Sequence, residues 1–139
     1  MKSVRGMYIH TVQLRVLYGH VDKMNIVYYG RYFEYFEYAR NELLRSLGVP
    51  YTEIEKHGVS LPVIQAFASY KAGAKYDDLL TIESTIPEMP RARIRVEYSI
   101  VNADEKLLVE GFTEHSFVKS NGRPTRLPKI LKDQLKVHF

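Results

Sequence analysis

Hydrophobic and polar residues first alternate along this chain, then adopt a helical spacing, then alternate again. Over residues 8–18, Val12, Leu14, Val16 and Tyr18 interleave with Thr11, Gln13, Arg15 and Leu17. Period two predicts a strand with one buried face. Residues 19–25, Gly19-His20-Val21-Asp22-Lys23-Met24-Asn25, form a polar connection. From residue 27 to residue 47, Phe33, Phe36, Ala39, Leu43 and Leu47 recur three and four apart. Arg31, Glu34, Arg40, Glu42 and Arg45 take the other faces. That pattern predicts an amphipathic helix of about five turns. Gly48 and Pro50 supply the stop, and a short helical turn over residues 51–56 ends at Gly58.

Strands follow. Residues 63–70 and 79–86 are the next two, the second closed by Pro87 and Pro90. Ala92, Ile94, Val96, Tyr98 and Ile100 then alternate with Arg93, Arg95, Glu97, Ser99 and Val101, the cleanest period-two stretch of the chain. Residues 102–105 read as a hairpin turn, and residues 107–119 return as a long strand. Asn121-Gly122 marks another turn. Residues 123–127 fit a short edge strand, and Pro128 can open a final helix that turns Ile130, Leu131 and Leu135 inward. Consecutive strands with short turns predict an antiparallel sheet of the α+β class with the long helix on one face. A sheet covered once has an open face and open edges, so an oligomer is expected. No linker or repeat divides residues 1–139, and one domain is expected.

Composition narrows the chemistry. At 45% hydrophobic residues, the chain can build a core. With no cysteine, it has no disulfide, thiolate metal site or thiol nucleophile. No apolar run reaches the ~20 residues of a membrane span, and the opening Met1-Lys2-Ser3-Val4-Arg5-Gly6 is no signal peptide. Cytoplasm is the expected compartment. The net charge of +4 is small and its bases are mixed with acids. It suits solubility or an anionic small ligand better than nucleic acid, which calls for a continuous basic stripe.

Serine-hydrolase elbows, phosphate-binding glycine loops, dinucleotide fingerprints and H-E-x-x-H are all missing. Histidines 10, 20, 57, 115 and 138 lack metal-ligand spacing, so neither metal nor cofactor is expected. What stands out is Asp22, between a strand and a long helix. A helix N-terminus offers unpaired N–H donors and partial positive charge, which can hold an oxyanion beside a carboxylate. Spacing alone equally allows Asp22 or Asn25 to be a helix cap.

The stretch Arg15-Val16-Leu17-Tyr18-Gly19-His20-Val21-Asp22-Lys23-Met24-Asn25-Ile26-Val27-Tyr28-Tyr29-Gly30-Arg31-Tyr32-Phe33 resembles the signature of the 4-hydroxybenzoyl-CoA thioesterase family, which includes the Tol–Pal-linked short-chain acyl-CoA thioesterases. Residues 34–40, Glu-Tyr-Phe-Glu-Tyr-Ala-Arg, and the tail Gly122-Arg123-Pro124-Thr125-Arg126-Leu127-Pro128 continue the likeness. The resemblance implies the hot-dog fold, an antiparallel sheet around one long helix, assembled as a dimer or tetramer with sites between subunits. It puts the catalytic aspartate at Asp22 and the amide that polarises the thioester carbonyl at Tyr29, with Asn25 and Tyr28 beside the substrate. Three positions depart from the pattern. His20 replaces its first acid, Asn25 its glycine, and Tyr29 the histidine of the Tol–Pal-linked branch. Asn tolerates left-handed backbone, so the turn can survive.

The implied reaction is hydrolysis of a short-chain or aromatic acyl-CoA, with Asp22 as nucleophile or as general base. Phe33 and Phe36 could line an acyl pocket or simply pack the helix. Arg91, Arg93 and Arg95, two apart, should share a strand face. They suit either a solvated surface or the phosphates of CoA, as do Lys119, Arg123 and Arg126. A hot-dog hydratase or dehydratase recruiting His20 or His57, and a non-catalytic acyl-CoA-binding module, are the other readings.

Overall fold

The computed structural model describes residues 3, 4 and 6–139. Residues 1, 2 and 5, part of the opening stretch read above for a leader, lie outside them. In chain order come β1 (Ser3–Val4), β2 (Met7–Arg15), α1 (Arg31–Ser46), α2 (Tyr51–Lys56), β3 (Val59–Ser60), β4 (Val63–Tyr70), β5 (Leu79–Ile86), β6 (Arg93–Val101), β7 (Leu107–Lys119), β8 (Pro124–Thr125) and α3 (Lys129–Leu135). They form an 8-stranded sheet in the order β1-β2-β5-β6-β7-β3, with β4 and β8 also paired to β7. All the pairings are antiparallel.

Alternation in the sequence becomes alternation of burial. Leu80, Ile82, Ser84 and Ile86 of β5 face inward, as do Ile94, Val96, Tyr98 and Ile100 of β6. α1 lays Tyr32, Tyr35, Phe36, Ala39, Leu43 and Leu44 on that face. Phe36 stacks on Tyr98 with ring centroids 4.3 Å apart. Gly111 of β7 lets the helix come this close, because a β-carbon there would meet the Phe36 ring at 2.9 Å and the Phe67 carbonyl. Leu131 and Leu135 of α3 are buried as the spacing predicted.

Several boundaries differ from the sequence reading. The first strand ends at Arg15, and Leu17 and Tyr18 are exposed. The long helix begins at Arg31, not residue 27, because Val27 is held in a bridge to Val21 and donates its N–H to the Ala74 carbonyl at 2.9 Å. Ala92 precedes β6 and is exposed, and the 123–127 strand shrinks to Pro124–Thr125. β4 is exposed along most of its length, with Val63, Ile64, Phe67 and Tyr70 open to solvent. It pairs with β7 on one side.

Candidate active site

The segment between β2 and α1 folds back on itself. Val21 and Val27 form an antiparallel bridge, and Tyr28 donates its N–H to His20 at 3.0 Å. Between them Asp22 N–H reaches the Ile26 carbonyl at 2.8 Å and Asn25 N–H the Asp22 carbonyl at 3.0 Å. The reversal needs a left-handed residue, and Asn25 supplies it at φ 60°. Asn25 is therefore the corner of the loop that aims Asp22.

Asp22 Oδ1 accepts N–H groups from Met24 at 2.8 Å and Ile26 at 3.4 Å, an Asx-turn that fixes the carboxylate. Oδ2 meets no donor among the described residues, and the side chain faces a surface recess lined by Tyr18, Val21, Lys23 and Asn25. Neither Asp22 nor Asn25 caps α1. The cap position is Gly30, with no side-chain bond. The capping alternative is thus excluded.

The helix start comes back beside this loop. Arg31 N–H donates to the Tyr28 carbonyl at 2.9 Å and Tyr32 N–H to the Tyr29 carbonyl at 3.3 Å. Tyr29 sits before the cap rather than inside the first turn, but among the described residues no acceptor takes its N–H. Its orientation is fixed from the other strand edge, where Tyr70 of β4 donates its hydroxyl to the Tyr29 carbonyl at 3.3 Å. The Tyr28, Tyr29 and Tyr70 rings touch in sequence. Gly30 leaves room for this packing, since a β-carbon would strike the Tyr28 ring at 2.8 Å.

His20 is anchored through one ring nitrogen. Its Nδ1 lies 2.9 Å from the Tyr35 hydroxyl, which burial pushes well above the ordinary tyrosine range. The phenol therefore stays protonated, and the bond sets the orientation of the imidazole. His57 Nδ1 is bonded to the Glu53 carbonyl at 2.8 Å at the end of α2.

The basic residues separate by what they touch. Arg93 pairs with Glu114 at 3.3 Å, and Arg95 with Glu97 at 3.0 Å while lying 3.7 Å over the Phe112 ring. Arg91, Lys119, Arg123 and Arg126 make no ion pair among the described residues. Arg91, Arg93 and Arg95 line one recess with Met89 and Glu114. The Leu127 N–H bonds the Arg91 carbonyl at 2.7 Å, which brings the backbones of the two basic segments side by side. Lys119 N–H donates to Arg123 at 2.8 Å and closes the adjoining hairpin.

One turn beyond Tyr29, α1 and β4 enclose a cleft of about 330 Å³ lined by Phe33, Glu37, Arg40, Val63, Ala66 and Thr113. Phe33 lines this cleft. Phe36 does not, being wholly buried against Tyr98. At the floor lies a polar cluster that sequence reasoning missed. Arg40 reaches the Tyr98 hydroxyl at 3.2 Å and Thr113 Oγ1 at 3.5 Å. The Tyr98 and Thr113 hydroxyls are 2.6 Å apart. His115 bridges Thr113 Oγ1 at 2.9 Å and the Leu61 carbonyl at 3.0 Å. Burial, then the Arg40 charge, lowers the His115 pKa to about 4, so this imidazole is neutral. Period-two patterning had put Tyr98 on a buried face but held no sign that its hydroxyl would find an arginine. Among the described residues no cluster of histidine and acidic side chains could hold a metal.

Residues 16–135 match the thioesterase-like superfamily. The acyl-CoA thioester hydrolase YbgC of Escherichia coli is 32% identical over 97 residues, covering 70% of this chain and 72% of that protein. The 4-hydroxybenzoyl-CoA thioesterase of a Pseudomonas species is 26% identical over 91% of this chain and 95% of its own. Among solved structures, the DHNA-CoA thioesterase of Staphylococcus aureus superposes with a TM-score of 0.86 at 28% identity, covering 92% of this chain and 87% of that one. The antiparallel sheet with its long helix is thus the hot-dog fold, and the chain belongs to the thioesterase-like superfamily.

Proposed function

We propose that the protein hydrolyses a short-chain or aromatic acyl-CoA to the free acid and CoA, with Asp22 as its reacting carboxylate. The observation that carries this is one loop holding two unspent groups, the Oδ2 of Asp22 and the N–H of Tyr29. Among the described residues the oxygen accepts from no donor and the nitrogen gives to no acceptor. Two routes fit. In the first, Asp22 attacks the thioester carbon, the C–S bond breaks, CoA leaves as thiolate, and water opens the resulting mixed anhydride. In the second, Asp22 takes a proton from water as the hydroxide attacks, and that proton ends on the departing sulfur. In both, the Tyr29 N–H faces the developing oxyanion. Asn25 shapes the loop, Tyr28 borders the reacting group, and Arg91 with Lys119 and Arg123 offers free cations to the CoA phosphates, Arg93 being already paired.

No helix among the described residues is long and apolar enough to cross a membrane. A cysteine-free chain suits the reducing cytoplasm, which fractionation of cells expressing it would check.

The test is thiol release from a panel of aliphatic and aromatic acyl-CoAs, with Asp22→Asn as the control. The substitution keeps shape and removes the charge, and a fall in kcat of about 10²–10⁴ is expected with the melting temperature unchanged. Wild-type turnover by a folded Asp22→Asn protein would refute the assignment. Tight thioester binding by the wild-type chain without thiol release would make it a binding module instead.

A further inference from the structure

Arg40 is an unusual residue to find under a substrate-sized cleft. Its side chain is only 14% exposed, and the nearest carboxylate, Glu37, stands 3.9 Å away and is itself 66% exposed. Its other bonds go to neutral hydroxyls, at 3.2 and 3.5 Å through one nitrogen. Among the described residues the second terminal nitrogen and Nε meet no hydrogen-bond acceptor. A buried guanidinium is costly unless an anion answers it closely, and nothing so far named in the fold does so. Glu34, also at the cleft, is occupied by Arg31 at 3.0 Å.

The position of this charge follows from the helix. Tyr29, Phe33, Glu37 and Arg40 succeed one another along one side of α1 and its entry. At 1.5 Å per residue, Arg40 lies roughly 14 Å along the axis from Arg31, where α1 begins just after Tyr29, and its side chain leans back toward the N-terminus. The apolar part of the cleft wall is Phe33, Val63 and Ala66, with Glu34 and Glu37 beside them on the helix. An acyl group with its carbonyl at Tyr29 would therefore cross an apolar stretch and end at a cation.

We infer that the cleft between α1 and β4 selects acyl groups bearing a carboxylate at their far end, with Arg40 as the specificity-determining residue, paired with that carboxylate. The substrate class is the monothioester of a dicarboxylic acid with CoA. This rests on the thioesterase reading for the placement of the thioester, but it concerns binding and can be tested without turnover. Glu37 is the rim carboxylate that an incoming anion displaces; being solvated, it can swing outward.

The experiment is calorimetric titration in the Asp22→Asn background with a matched ladder: glutaryl-, adipoyl- and suberoyl-CoA against valeryl-, hexanoyl- and octanoyl-CoA. At one chain length or more, the carboxylated thioester should bind at least tenfold tighter than its methyl-ended partner. Arg40→Gln should erase that ratio while leaving the methyl-ended ligand within about twofold, and Arg40→Lys should keep part of it. Glu37→Gln should widen it. A role confined to folding would instead lower the melting temperature and weaken both ligand series alike. Equal binding of the two series throughout, tighter binding of the methyl-ended series, or a ratio untouched by Arg40→Gln would overturn the inference. Loss of thiol release by the wild-type chain would count against the hydrolytic reading alone.

Discussion

A carboxylate with one oxygen tied to its own loop and the other open is held in place without being neutralised. Asp22 has that character because Asn25 turns the chain at φ 60° and the Met24 N–H fixes Oδ1 at 2.8 Å. Arg91 has the complementary character among the cations: no partner carboxylate among the described residues, and a carbonyl bonded to Leu127 that anchors its backbone. If it grips a CoA phosphate, the contact is exposed and modest, ~0.5–1 kcal/mol by comparison with surface ion pairs. Arg91→Ala should then raise KM for an acyl-CoA about two- to fivefold and leave kcat alone, since phosphate binding is uniform between ground and transition states. The N-acetylcysteamine thioester, which lacks the nucleotide, should show neither the rise nor the steep salt dependence. Identical effects of Arg91→Ala on both thioesters would show the arginine to be only a solvated residue.

At the scale of elements, the joint between α1 and β7 is polar where a hydrophobic one would have sufficed. His115 sits in it fully buried, donating Nδ1–H to Leu61 and accepting from Thr113. Its pKa falls from 6.5 to about 4 on folding, so the unfolded chain takes up the proton first. Stability from this group is complete above pH 6.5 and is lost as pH falls toward 4, by up to roughly 3 kcal/mol. Urea midpoints measured from pH 7 to pH 4.5 should decline in the wild type and decline less in His115→Gln. A parallel decline would leave the carboxylates responsible. The sequence made much of this joint visible in outline. Alternation in residues 92–101 located β6, and the 3.6-residue spacing from Phe33 to Leu47 located the helix. The partners of Arg40 and His115 were not visible, because they depend on how β6 and β7 align, how α1 docks over them, and where the chain at Leu61 passes. Nor was the true start of α1, since local spacing carries no trace of the bond from Val27 to Ala74 that holds the preceding residues extended. Asp22 was found through a resemblance; by periodicity alone it could have been a cap.

For the whole molecule, the open flank is β4. It bonds to β7 on one side, and Val63, Ile64, Phe67 and Tyr70 are exposed on or beside it, next to Tyr28 and Tyr29. Exposed apolar strands of this kind are usually covered. A second copy over this flank would shut water out of the Asp22 recess and the α1–β4 cleft together. Light scattering at micromolar concentration should therefore report a dimer or larger, and Ile64→Lys should dissociate it and lower kcat/KM in step. A monomer with full activity would exclude a site shared between subunits. The same strand order has a consequence for how the chain comes to be folded. β7 pairs with β6, β4, β3 and β8, yet it is made only after α1 and all but the last of the other strands have been synthesised. Until residues 107–119 emerge, β4 has no neighbour and the greasy side of α1 lies over an incomplete sheet. Non-local pairing of this sort delays folding, and the nascent chain must carry a naked strand through that interval. Premature termination before residue 119 should yield not a smaller folded protein but a sticky fragment, the kind of species that chaperones retain.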